Sequence, residues 1–150
     1  MRSACLMRVA HHEAGHVVYM EWLGLDVLGA HASEMGGEAR FRMPAVAEAI
    51  PVPADDSGAL AACAAGLYHA GPAAETLWLG LDGRKPFYEP LTTDYQASER
   101  MLRLRFGAHS SAGHGYAFRV ALHVLSHRWA RLQHIAERLA DSGTWHNPTT

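Results

Sequence analysis

Two histidines four residues apart, with a glutamate directly after the first, stand near the start of this chain: His12-Glu13-Ala14-Gly15-His16. On a helix that spacing stacks both imidazoles on one face, one turn apart, where they present two nitrogens to a single cation. Zinc suits such a pair. It takes imidazole nitrogen at about 2.0 to 2.1 Å, and a catalytic site keeps three protein ligands and one water. Glu13 leaves the same turn, so its carboxylate reaches a water activated at the metal rather than the metal itself. The neighbours favour a helix: Val9, Ala10, Ala14, Val17, Val18 and Met20 supply an apolar surface that sets both histidines in the interior. This helix is expected from about Ser3 to Leu23, with Gly24 as its stop. Gly15 costs it roughly 1 kcal/mol against Ala, which implies a close approach to the backbone there.

The two histidines need a third donor, and the downstream carboxylates are the candidates. After Gly24 the period changes from helical to alternating. Asp26 to Ser33 and Glu38 to Pro44 flank Met35-Gly36-Gly37, which predicts a β-hairpin with a Gly-Gly turn. Within it Arg40, Phe41, Arg42 and Met43 form an edge strand able to take an extended peptide through main-chain hydrogen bonds. A plain structural hairpin accounts for the same pattern. Ala45 to Ile50 reads as a short helical turn stopped by Pro51-Val52-Pro53. Asp55-Asp56-Ser57 then caps an alanine-rich helix to about Ala70. Gly71-Pro72 should kink it, and its second half, Ala73 to Leu79, ends at Gly80. That half carries Glu75, whose carboxylate needs a partner in so apolar a stretch.

Leu81 to Pro90 is a polar loop, and Thr92 or Thr93 caps a helix from Asp94 to about Phe106. An Asp on a first helical turn is usually only a helix-dipole partner, but Asp94, aimed from that rigid start, is also a candidate third ligand. Gly107 to Gly115 forms a loop with His109 and His114. A last helix spans about Tyr116 to Ala140 with an apolar stripe at every third or fourth residue. Ser142 to Thr150 is expected to fray as residues 142–150, leaving one domain over residues 1–141.

Composition narrows the class. The chain has 150 residues, 49% of them hydrophobic and 19% charged, with a formal net charge of −2, which suits one globular domain and argues against a nucleic-acid partner. Cys5 and Cys63 make no disulfide framework and point to a reducing compartment. No window approaches 18 uninterrupted apolar residues, so a cytoplasmic protein without a membrane segment is expected. The fold class is mainly α with a small β-hairpin or sheet.

Three stretches in this order resemble the signatures of FtsH-like zinc proteases. Val9-Ala10-His11-His12-Glu13-Ala14-Gly15-His16-Val17 matches HEAGH in full. Gly71-Pro72-Ala73-Ala74-Glu75, followed by Leu77 and Gly80, matches G-G-R-x-A-E-E in part, and Thr92-Thr93-Asp94-Tyr95-Gln96-Ala97 matches T-G-A-x-N-D-L in part. The resemblance implies a zincin-like metallopeptidase helical domain. By motif, His12, His16 and Asp94 resemble the zinc (Zn2+) ligands, Glu13 the general base, and Glu75 the acid behind the metal or an alternative ligand. Pro72 stands where the family has Arg, Thr76 where it has Glu, and the stretch before Asp94 lacks the usual Gly and Asn. No G-x-x-x-x-G-K-[ST] loop is present and the motif helix begins almost at Met1, so action without ATP in this chain is the expectation.

What the resemblance implies is hydrolysis of peptide bonds in unstructured or partner polypeptides, by a monomer or small oligomer. The alternative is a catalytically weak, protease-like metal-binding scaffold that serves as a protein-binding or regulatory module. His123, His127 and His134 share a flank of the last helix and could form a second metal or pH-sensitive surface, although such residues more often only border a core. His11 points about 100° away from His12 around the helix and should not reach the same ion.

Overall fold

A computed structural model of the chain describes residues 2–42, 59–81, 93–107 and 110–148. Met43, the Ala45–Ile50 turn, the Asp55-Asp56-Ser57 cap, residues 82–92 and His109 lie outside them. The elements run α1 (Ala4–Leu23), β1 (Asp26–Ser33), β2 (Gly36–Arg42), α2 (Ala59–Leu79), α3 (Thr93–Phe106), α4 (Ser110–His127), α5 (Trp129–Ser142) and β3 (Thr144–His146). The fold is mainly helical, with a three-stranded antiparallel sheet in the order β2-β1-β3.

The expected motif helix is α1, and it is the centre of the packing. Ser3 caps it by accepting from the Leu6 amide at 3.0 Å, and Gly24 ends it in the left-handed conformation at φ 80°. From Ala10 to Met20 every residue but His12 is buried, because α2, α4, α5, β1 and β2 all lie against this one helix. A helix enclosed on all sides keeps no polar face, which explains the apolar run around the motif. Gly15 does permit a close approach: a Cβ there would lie 2.6 Å from both the Ala70 carbonyl oxygen and the Ala74 Cβ. The α1–α2 contact is therefore backbone to backbone, walled by Ala10, Ala14, Ala70, Ala73 and Ala74, all fully buried.

Several elements differ from the sequence expectation. Ala59–Leu79 is one continuous helix despite Pro72, not two halves. Proline removes one internal hydrogen bond, but packing on both sides holds the helix, and Thr76 donates its hydroxyl to the Pro72 carbonyl at 2.9 Å. The hairpin turn is Glu34-Met35 rather than Gly-Gly, since Ser33 pairs with Gly36 and both glycines belong to β2. The Ser33 hydroxyl closes that turn by accepting from the Met35 amide at 3.2 Å and donating to the Gly36 carbonyl at 3.2 Å.

The single last helix is two. α4 already begins at Ser110, so His114 is helical, and Arg128 at φ −120° separates α4 from α5. One apolar period runs through both, but Phe118, Ala121 and Leu125 belong to a helix that packs chiefly on α2, while Leu132, Ile135 and Leu139 belong to one that packs on α1. The two directions need a break that periodicity does not reveal. The C-terminal segment is also ordered: Thr144–His146 pairs with Gly29–His31 of β1 and buries Trp145. Among the described residues no helix is long and apolar enough to cross a membrane.

Candidate metal centre

His12 and His16 leave adjacent turns of α1, and Asp94 comes from the first turn of α3. The three converge. His16 Nε2 lies 3.2 Å from His12 Nε2 and 3.1 Å from Asp94 Oδ2, and His12 Nε2 lies 3.6 Å from the same oxygen. Among the described residues this is the one group of three such side chains close enough to share an ion.

The other nitrogen of each ring decides what the converging atoms are. His12 Nδ1–H donates to Glu75 Oε2 at 2.9 Å, and His16 Nδ1–H donates to the Leu67 carbonyl at 2.8 Å. In its neutral form each ring therefore turns an Nε2 lone pair toward Asp94 Oδ2. In that form three acceptors face one another, and the cation they share is either a proton or a metal ion. Donor atoms around a tetrahedral ion at about 2.05 Å are roughly 3.3 Å apart, which is the spacing found here. The donor set, two imidazoles and a carboxylate, suits zinc-like divalent metals.

Electrostatics point the same way. Burial disfavours a charged His12, but the Asp94 and Glu75 carboxylates outweigh it and raise its pKa to about 10. Burial would raise the Asp94 pKa, and the hydrogen bonds from His12 and His16 overcome it and hold it down. A positive charge is thus strongly favoured at this point, and a metal ion competes there with a proton.

Glu13 is buried and stands beside the group without joining it. Its Oε1 is 4.0 Å from His12 Nε2, beyond hydrogen-bond reach. Burial raises its pKa, opposed by His16 and His12. Glu75 sits behind His12, tied also to Arg8 by an ion pair, and its own pKa is lowered: burial raises it, but His12 and Arg8 prevail.

A cavity of about 450 Å³ opens over these residues, lined on the motif side by His12, Glu13 and His16 and on the sheet side by Gly37, Glu38, Ala39 and Phe41. Of the predicted edge-strand residues, Phe41 lines it, whereas Arg40 and Arg42 are exposed on the alternate face, Arg42 paired with Asp26 at 3.0 Å. Met43 lies outside the described residues.

Sequence reasoning missed three supports. Gly71 packs flat against the His12 ring, where a Cβ would collide with Nε2 and Cε1. Its glycine was visible, but beside Pro72 it reads as a breaker. Arg8, one turn before His12, could have been found from its i,i+4 spacing. The Leu67 carbonyl has no sequence signal, since any residue supplies one. His11 lies apart as expected, stacked between Trp78 and Trp129 at 4.9 and 5.9 Å. His123 and His127 form an exposed pair on α4, and the break at Arg128 puts His134 on another helix. No family model matches the chain, and no similar curated protein was found.

Proposed function

We propose that this chain is a zinc metallopeptidase, similar in its motifs to the FtsH-like proteases, that hydrolyses peptide bonds of unstructured or partner polypeptides. One observation carries the reading: three potential ligand atoms at ligand spacing, with a buried carboxylate beside them, at the floor of an open cavity. His12, His16 and Asp94 would hold a zinc ion, which would polarise a carbonyl and lower the pKa of water to about 7. Glu13 takes the proton of the attacking water at its carboxylate, while the water oxygen bonds to the carbonyl carbon. Its raised pKa makes it a stronger base than a solvated glutamate. Glu13 then delivers that proton to the amide nitrogen as the C–N bond breaks. Glu75 keeps the His12 ring turned with Nε2 inward.

β2 supports a peptide substrate. It is an edge of the described sheet, and its Gly37–Phe41 stretch borders the cavity. An extended chain laid beside it gains main-chain hydrogen bonds independent of sequence and runs past Glu13. The test is elemental analysis of the purified chain together with cleavage of unfolded casein by wild type and Glu13→Gln. About one zinc per chain, with cleavage lost in the variant, supports the peptidase. Zinc without cleavage in either protein sinks it in favour of a binding scaffold.

A further inference from the structure

Away from the metal centre, three deeply buried polar side chains among the described residues gather in one place: His114 is 3% exposed, His69 1% and Ser98 0%. Three residues of α3 hold the His114 ring. Tyr95 stacks on it with centroids 4.1 Å apart and planes 6° from parallel, Ser98 Oγ lies 3.3 Å from Nδ1, and Glu99 Oε2 accepts from Nε2–H at 2.5 Å. Positions 95, 98 and 99 share one face of α3, and that face starts at the residue after Asp94.

Glu99 fixes the tautomer. With the proton on Nε2, the Nδ1 lone pair of His114 faces the Ser98 hydroxyl and His69 Nε2, the latter 3.0 Å away. His69 also lies 2.8 Å from Ser98 Oγ. It belongs to α2, two residues after Leu67, whose carbonyl fixes His16. Ser110 Oγ donates to Glu99 Oε1 at 2.8 Å and secures the far end to α4. A chain of directional contacts thus joins the helix that orients one ligand to the helix that carries another.

Among the described side chains of α3, Leu102 is the one fully buried apolar residue, and Met101 packs beside it. Hydrogen bonds to a ring fixed in α4 add a directional restraint on the rotation of α3 that apolar contacts do not supply. A misplacement of about 1 Å at a site is enough to loosen it. We infer that His114 is the positioning residue for Asp94: held by Tyr95, Ser98 and Glu99, it locks α3 in the rotation that carries the Asp94 carboxylate to His12 and His16. The inference rests on the metal-centre reading above.

A double-mutant cycle read with cobalt(II) tests it. Co2+ is titrated into the metal-free full chain, and its visible absorption reports the ligand set. In His114→Leu, affinity should fall by about tenfold or more and the spectrum should move toward that of Asp94→Ala. In the Asp94→Ala background, the same change should alter neither. Ser98→Ala, a smaller perturbation, should shift both readouts in the same direction, and it keeps the test decisive if His114→Leu fails to fold. Unchanged cobalt affinity and spectrum despite a lower melting temperature would overturn the inference, as would an equal loss in the Asp94→Ala background. A wild-type chain that takes up no cobalt overturns the metal-centre reading itself, and the inference with it.

Discussion

Glu75 Oε2 accepts a hydrogen bond from His12 Nδ1 at 2.9 Å, and that bond decides which nitrogen of the ring faces His16 and Asp94. Glu75 is itself held by Arg8. Orientation of the ligand is therefore built from α2 and the preceding turn of α1, not from the motif alone.

Glu75→Ala should lower metal affinity about 10- to 100-fold, the usual effect of losing such a partner. Arg8→Ala should have a smaller effect in the same direction, since it acts on the carboxylate rather than on the ring. Competition titration against a chelator measures both. Equal affinity in wild type and Glu75→Ala would remove Glu75 from the site.

Glu13→Gln should abolish peptide cleavage, by at least about 10²-fold, while metal content stays at wild-type level, because Glu13 touches no ligand nitrogen within hydrogen-bond distance. In the wild type, kcat/KM should fall in acid, where Glu13 becomes protonated. That limb should lie above the ordinary glutamate range, since burial raises this carboxyl.

The metal-free protein should lose stability as pH rises. His12 has a folded pKa of about 10 against an ordinary 6.5, so its contribution is complete below about 6.5 and fades as pH climbs through 10. Asp94 has the opposite sign: its lowered pKa contributes above about 4 and is lost in acid. Tm measured in chelator should therefore peak between these limits, and Asp94→Asn should flatten the alkaline decline. Metal affinity should rise over the same alkaline window, because binding displaces the His12 proton.

Gly71→Ala should damage the centre without touching a ligand. Its Cβ has no room against the His12 ring, so either the ring swings out or α1 and α2 separate. Overpacking of this kind costs about 1–3 kcal/mol. The expected result is a lower Tm and weaker metal binding together, read by calorimetry and chelator competition.

The parts of this molecule that sequence made legible are those written in single residues or long periods. His12, Glu13 and His16 follow from helical spacing, and Asp94 from the need for a carboxylate on a rigid helix start. The hairpin followed from the alternation of Ala39 and Phe41 with Arg40 and Arg42. Less visible were features that depend on two elements at once. Nothing in Gly71 says that an imidazole will lie on it. His114 looks like a loop residue because Gly113 and Gly115 flank it, yet it is helical and buried by α3. The direction change at Arg128 is invisible because the apolar period continues across it. A three-residue strand such as Thr144–His146 is too short to show any period at all.

That short strand leads to the last prediction. Trp145 is 7% exposed, lies under the Arg131 guanidinium at 5.7 Å, and sits opposite Ala30 in the middle of β1. Asn147 continues the join by donating its side-chain amide to the Val27 carbonyl at 2.9 Å. Trp145→Ala should cost about 3–5 kcal/mol by leaving a cavity between α5 and the sheet. The ligands stand on α1 and α3, so metal affinity should change little where the protein remains folded. β2, which borders the cavity, hangs on β1, and β1 is steadied by β3 from its other side. KM for an extended peptide should therefore rise more than kcat falls. Steady-state kinetics on metal-loaded variant, below its melting temperature, separate the two. A fall in kcat with KM unchanged would mean that the sheet takes no part in holding substrate.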